Sequence, residues 1–187
     1  MRRAAYFAAL LASVVMAAIG AAAQTETLRP SEIVQPSAYV SLAPVPRGRA
    51  FELAVVAHIH AGYHINAHEP TFDYLIPTQV TPALPQGITL TEAEYPEGQM
   101  LKFAFSATQL RVYEGDVVFR LHLRAAADAA LGSQDISLLL EYQACNDRSC
   151  FPPVKVPVTA HLDIAPVGAA AIPAHPEFFR VPAGHSR

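Results

Sequence analysis

Only two cysteines occur in this 187-residue chain, Cys145 and Cys150. Neither one follows the apolar stretch at the start of the chain, so a lipid anchor on an N-terminal cysteine is excluded. Beyond Gln24 no apolar run is long enough to cross a bilayer, and a membrane-spanning protein is not expected. Basic residues are not in excess: the formal charge is −3, which gives no electrostatic case for nucleic acid. Internal repeats and long amphipathic helices are missing as well. Two thiols supply only half of the usual four-ligand zinc knuckle.

What the chain does have begins with a processing signal. Arg2 and Arg3 precede an apolar run from Ala4 to Ile19, broken only by Ser13, and Ala21 to Ala23 offer small residues for cleavage. The expected organisation is a signal peptide at 1–23, a flexible leader at 24–36, one β-domain at 37–165 and a Pro/Ala-rich tail at 166–187. The hydrophobic share of 52% is inflated by alanine in the signal and tail. Export predicts a periplasmic or secreted protein, and there a nearby thiol pair oxidises and stays oxidised.

The central region reads as short strands punctuated by Pro and Gly, the pattern of an all-β sandwich. From Arg49 to Ile59 the residues Phe51, Leu53, Val55, Ala57 and Ile59 share one face, with Glu52, His58 and His60 on the other. Further strands are expected at Tyr63 to Asn66, Ile88 to Tyr95, Lys102 to Phe105, Asp116 to Leu123, Asp135 to Ala144 and Val154 to Ile164. The alanine-rich stretch ending at Gly132 reads as a loop.

The cysteines lie either side of Asn146-Asp147-Arg148-Ser149. Alternation along the incoming strand puts Ile136, Leu138, Leu140, Tyr142 and Ala144 on the core side, and Glu141, Gln143 and Cys145 on the wet side. A hairpin through the loop sets Cys150 opposite Cys145, at the separation of roughly 4.5–5.5 Å that a disulfide accepts. Pro152 and Pro153 stiffen the exit. So short a loop earns little from chain entropy, roughly 2 kcal/mol against about 4.7 for a loop of a hundred residues. A structural staple, a metal-ligand pair and a working dithiol all remain open on these residues alone. Arg148 favours a thiolate and Asp147 opposes it.

The stretch "YQACNDRSCFPPVKVPV" resembles the active-site hairpin of the N-terminal periplasmic domain of DsbD, the thiol–disulfide interchange family. "GYHIN" at Gly62 to Asn66, "LPQGI" at Leu84 to Ile88, "EAEYPEG" at Glu92 to Gly98 and "VYEG" at Val112 to Gly115 follow in the matching order. The resemblance spans roughly Ala38 to Ile164. It implies an immunoglobulin-like antiparallel β-sandwich with an active-site cysteine hairpin and a cap loop. The pair would cycle between dithiol and disulfide, with Cys150 as the attacking thiol and Cys145 as the resolving one. Tyr95 matches the shielding aromatic of the cap loop, Glu94 its acidic neighbour, and Pro96 follows in the same loop. His64 and Asn66 match positions near the site.

The same resemblance implies a protein-disulfide reductase module that needs no cofactor. It would take reducing equivalents from a thioredoxin-like or membrane thiol reductant and pass them to exported disulfide-bearing targets, cytochrome c biogenesis proteins among them. The chain holds no C-x-x-C and no membrane carrier, so that reductant is expected on a separate chain. The loop "NDRS" is one residue shorter than in some members of the family. Two readings compete: a non-catalytic secreted interaction module with a structural disulfide, and a periplasmic metal-binding protein using His58 and His60. The metal reading draws on "AHIHAGYHINAHE", which also carries His64 and His68, yet no carboxylate or cysteine completes a ligand set.

Overall fold

The computed structural model describes residues 28–179. The expected signal peptide, the start of the leader and the end of the tail lie outside the described residues. After a 3-10 turn at Pro30–Glu32, the strands begin with β1 Val34–Val40, β2 Leu42–Ala43, β3 Val45–Pro46, β4 Ala50–Ile59 and β5 His64–Asn66. Next come β6 Gln79–Ala83, β7 Ile88–Glu94, β8 Gln99–Lys102, β9 Gln109–Tyr113 and β10 Asp116–Ala125. The last are β11 Gly132–Tyr142, β12 Ala144–Cys145, β13 Val154–Ala165 and β14 Ile172–Pro173, followed by a short helix α1 Pro176–Phe179.

Two four-stranded sheets make the sandwich, in the orders β1-β4-β10-β7 and β3-β13-β11-β6. All pairings are antiparallel except β3 with the end of β13. This is the all-β, immunoglobulin-like architecture expected above. Alternation decides which side chains meet between the sheets. Leu53, Val55 and Ala57 of β4, Phe119, Leu121 and Leu123 of β10, Ile136, Leu138 and Leu140 of β11, and Leu162 of β13 belong to one buried cluster. Each large aliphatic or aromatic side chain fully buried there contributes about 1.5–3 kcal/mol.

A third four-stranded sheet, β12-β5-β9-β8, closes one end of the sandwich. The turn His60–Tyr63 delivers the chain to it: the Tyr63 amide donates to the His60 carbonyl at 3.1 Å. Gly62 sits at φ +84° in that turn, a left-handed position where a side chain is disfavoured. The turn resets the strand phase, so His64 no longer follows the alternation of β4.

Several boundaries differ from the sequence reading. β1 takes Val34 to Pro36 from the expected leader, because its pairing with β4 begins at Val34 and Ile59. Part of the expected tail is ordered against the sandwich: Ile172 pairs with Ala43, and Phe178 stacks on Tyr39 with ring centroids 4.5 Å apart. The strand expected at Lys102 to Phe105 ends at Lys102 instead, and the chain then turns over the end sheet. The Lys102 ammonium donates to the Ser106 and Ala107 carbonyls and holds that turn. Among the described residues no helix is long and apolar enough to cross a membrane.

Candidate functional site

The cysteine hairpin is built by its backbone. Phe151 N–H donates to the Ala144 carbonyl at 2.8 Å, and Asn146 N–H donates to the Ser149 carbonyl at 3.0 Å. The Asn146 side-chain oxygen accepts from the amides of Arg148 and Ser149, both at 2.9 Å, and shapes the loop between. Cys145 and Cys150 are therefore the non-hydrogen-bonded pair, where facing side chains come closest. They form a disulfide with Cα atoms 3.9 Å apart.

The two sulfurs live in different surroundings. Cys150 is exposed, whereas Cys145 is only 1% exposed. The expectation that Cys145 faces water is corrected. The run of β11 ends at Tyr142, Gln143 breaks the alternation, and β12 joins a different sheet. There Cys145 pairs directly with His64 of β5. Directly opposed residues share a face, and Cys150 bridges to Cys145 from the other side, so His64, Cys145 and Cys150 form one row.

His64 itself is 2% exposed and its Nε2 has no hydrogen-bond partner. Burial pushes its pKa down to about 4, so the ring is neutral at ordinary pH. Phe103 stacks on it with ring centroids 3.9 Å apart and planes 17° from parallel. Phe105 lies beside both rings and is 41% exposed. Tyr63 and Phe151 approach each other at 6.0 Å, near the return strand. An unpaired buried polar atom costs about 1–3 kcal/mol, which makes Nε2 an expensive neighbour for a purely structural disulfide.

Asn66 braces the hairpin from beneath. Its amide donates to the Ile76 carbonyl at 3.0 Å and to Gln143 Oε1 at 3.2 Å. Gln143 Nε2 in turn donates to the Phe151 carbonyl at 3.2 Å. This chain of bonds ties the strand entering Cys145 to the residue leaving Cys150. Asp147 and Arg148 pair with each other at 3.9 Å in solvent, so they exert little net bias on either sulfur.

Three residues expected at the site make their contacts with other segments. Tyr95 stacks on His68 at 3.6 Å, and its hydroxyl oxygen accepts from the Val80 amide at 2.9 Å. That anchoring, with Phe119 at 5.5 Å, holds the ring against the sandwich. The Glu94 carboxylate meets Arg120 and His122, both at 3.4 Å, on the surface of the other sheet. The Pro96 carbonyl accepts from the Tyr113 hydroxyl at 2.8 Å. All three line a cleft of about 620 Å³ to which neither cysteine contributes. The aromatic residues stacked beside His64 are Phe103 and Phe105. Their signal was in the sequence: two aromatics spaced by one residue, just before a polar stretch that reads as a turn.

His58 and His60 of the competing reading meet edge to face with ring centroids 5.9 Å apart, and each has its own polar partner. His58 Nδ1 bonds Asp116 at 2.6 Å and His60 Nε2 lies 3.0 Å from the Gln35 amide. Among the described residues no group of three or more His, Cys, Asp or Glu side chains converges to hold a metal ion.

An all-β sandwich with an accessible disulfide at the tip of a braced hairpin defines a class of candidate thiol–disulfide exchange domain. The family described as the N-terminal part of the thiol:disulfide interchange protein DsbD matches residues 30–161, and the chain belongs to it. Among solved structures, the DsbD N-terminal domain of Neisseria meningitidis in its reduced form is 18% identical. The match covers 79% of this chain and 95% of that one, with a TM-score of 0.42. The N-terminal periplasmic domain of ScsB from Proteus mirabilis is 13% identical over 73% of this chain and 49% of that one, with a TM-score of 0.49. A comparison with curated proteins gives no match.

Proposed function

We propose that the protein is a periplasmic thiol–disulfide exchange module that passes reducing equivalents through Cys145 and Cys150. One observation carries this reading: the linked pair has one exposed member on a polar loop and one buried member beneath it. In the reduced protein, the Cys150 thiolate attacks a target disulfide and forms a mixed disulfide, releasing one target thiol. Cys145 then attacks the Cys150 sulfur, releases the second target thiol and restores the internal bond. A thioredoxin-like or membrane thiol reductant on another chain returns the pair to the dithiol, and the targets are exported proteins bearing disulfides. The family supports the exchange chemistry and a thioredoxin-like donor. The turn carrying Phe103 and Phe105 serves as the shield that limits access to the pair.

The Cys145→Ser variant tests this directly. With Cys150 as its only thiol, it is expected to form a stable mixed disulfide with a single-cysteine thioredoxin-like protein supplied as its thionitrobenzoate adduct. A Cys150→Ser variant is expected to form far less, since its remaining thiol is buried. Equal trapping by the two variants, or trapping by neither, contradicts the proposal.

A further inference from the structure

Resolution of the mixed disulfide makes a demand that the hairpin alone does not meet. Cys145 must attack as a thiolate, yet it is 1% exposed, and the one cation of its loop, Arg148, lies in solvent beside Asp147. Burial in such surroundings disfavours the charged sulfur. Directly opposite in the β5–β12 register stands His64, a buried ring whose Nε2 has no hydrogen-bond partner.

We propose that His64 takes the proton from the Cys145 thiol as Cys145 attacks the mixed disulfide on Cys150. The inference rests on the exchange reading above and names the base for its second step. The ring suits that task for three reasons. It shares a face with Cys145. Phe103 stacks on it and fixes its plane. Its buried Nε2 has no other partner and is free to accept a proton. Transfer creates a thiolate and an imidazolium on opposed residues, and their mutual attraction offsets the cost of charging both in a dry setting.

The step balances without an added reagent. The Cys145 S–H bond breaks and its proton moves to His64. The Cys145 sulfur forms a bond to the Cys150 sulfur, while the bond from Cys150 to the target breaks with its electron pair on the target sulfur. That leaving thiolate takes up a proton, from the imidazolium or from water, and His64 is neutral again. The two cysteines are oxidised and the target is reduced.

Other ionisable groups on the surrounding elements are exposed or engaged. Lys102 donates to the Ser106 and Ala107 carbonyls, and Tyr113 to the Pro96 carbonyl. His68 bonds the Thr78 carbonyl, Arg111 faces Glu69, and Asp147 and Arg148 lie in solvent.

The test uses the reduced protein and the chromogenic disulfide 5,5′-dithiobis(2-nitrobenzoate). Attack by Cys150 releases a first coloured thiolate, and resolution by Cys145 releases a second. His64→Phe keeps a ring to stack on Phe103 and removes the proton acceptor. Its first phase is expected to match the unmodified protein, and its second to slow by about 10²-fold. If the unmodified protein and the variant both release the second thiolate equally fast, this inference is overturned and the exchange reading stands. If the unmodified protein releases neither, both fall.

A second measurement holds even where His64→Phe does not fold. In Cys150→Ser, Cys145 is the only thiol, and its ionisation can be followed by ultraviolet absorbance while the His64 ring is followed by NMR. The ring signals are expected to move in step with the thiol. A ring indifferent to ionisation of Cys145 overturns the inference.

Discussion

The middle of the sandwich and its cysteine end solve opposite problems with the same strands. Around Phe119 the sheets meet through aliphatic and aromatic side chains with no exposure, and strand alternation alone determines which residues are inside. Around Cys145 burial comes from stacked rings and a chain of side-chain hydrogen bonds, and a polar ring atom is left without a partner. The first arrangement maximises stability. The second gives up part of it to hold a reactive pair half in and half out of water, which is where local rules are expected to be broken.

Substitutions in the two regions are therefore expected to separate stability from reactivity. The largest effect is expected from Phe119→Ala, which leaves a cavity between the sheets and costs about 3–5 kcal/mol in denaturant unfolding. Glutathione reduces the disulfide in its folded fraction at an unchanged rate. A changed rate blurs the boundary between the regions.

Acid comes next and acts at the other end. His64 has a pKa of about 4 in the folded chain against about 6.5 unfolded. The unfolded state therefore binds the extra proton between those values, and stability rises with pH across that window. Lowering the pH from about 6.5 to 4 is expected to remove on the order of 2 to 3 kcal/mol. His64→Phe should flatten that part of the profile, as read by urea unfolding at each pH. An unaltered slope assigns the loss to other groups.

Opening the shield is expected to cost less in stability than it changes in rate. Phe103→Ala removes the ring stacked on His64 and destabilises the fold by about 1 kcal/mol beyond its lost area. Reduction of the disulfide by glutathione speeds up about ten-fold as access improves. The smallest effect is expected at the Tyr95 loop. Tyr95→Phe loses the bond from the Val80 amide and costs about 1 kcal/mol, with no change in the reactivity of the cysteines. Faster reduction in Tyr95→Phe than in Phe103→Ala would place the shield on the Tyr95 loop.

The sequence was legible where burial follows a period. Phe51 to Ile59 and Ile136 to Tyr142 alternate as they do because one sheet face meets the core along their whole length. The cysteine hairpin was legible too, since a polar loop between two opposed positions needs only local geometry. Legibility failed where the chain changes sheets. Cys145 lies past the break at Gln143, so counting phase from Ile136 gives the wrong face. Phe103 and Phe105 continue an apparent strand in sequence, but carbonyls turned toward Lys102 end it and fold both rings over His64. Glu94 and Tyr95 match a motif, yet their partners Arg120, His122, Val80 and His68 come from distant segments that no local pattern reveals.

Reactivity of the Cys145–Cys150 bond in the folded protein is the claim on which the rest depends. Equilibration with glutathione redox buffers, followed by thiol alkylation and mass analysis, measures it directly. An exchange site is expected to reach equilibrium readily, with a reduction potential above about −300 mV. A bond that stays intact in reducing buffers, with a potential below that value, would contradict the account and leave a structural staple.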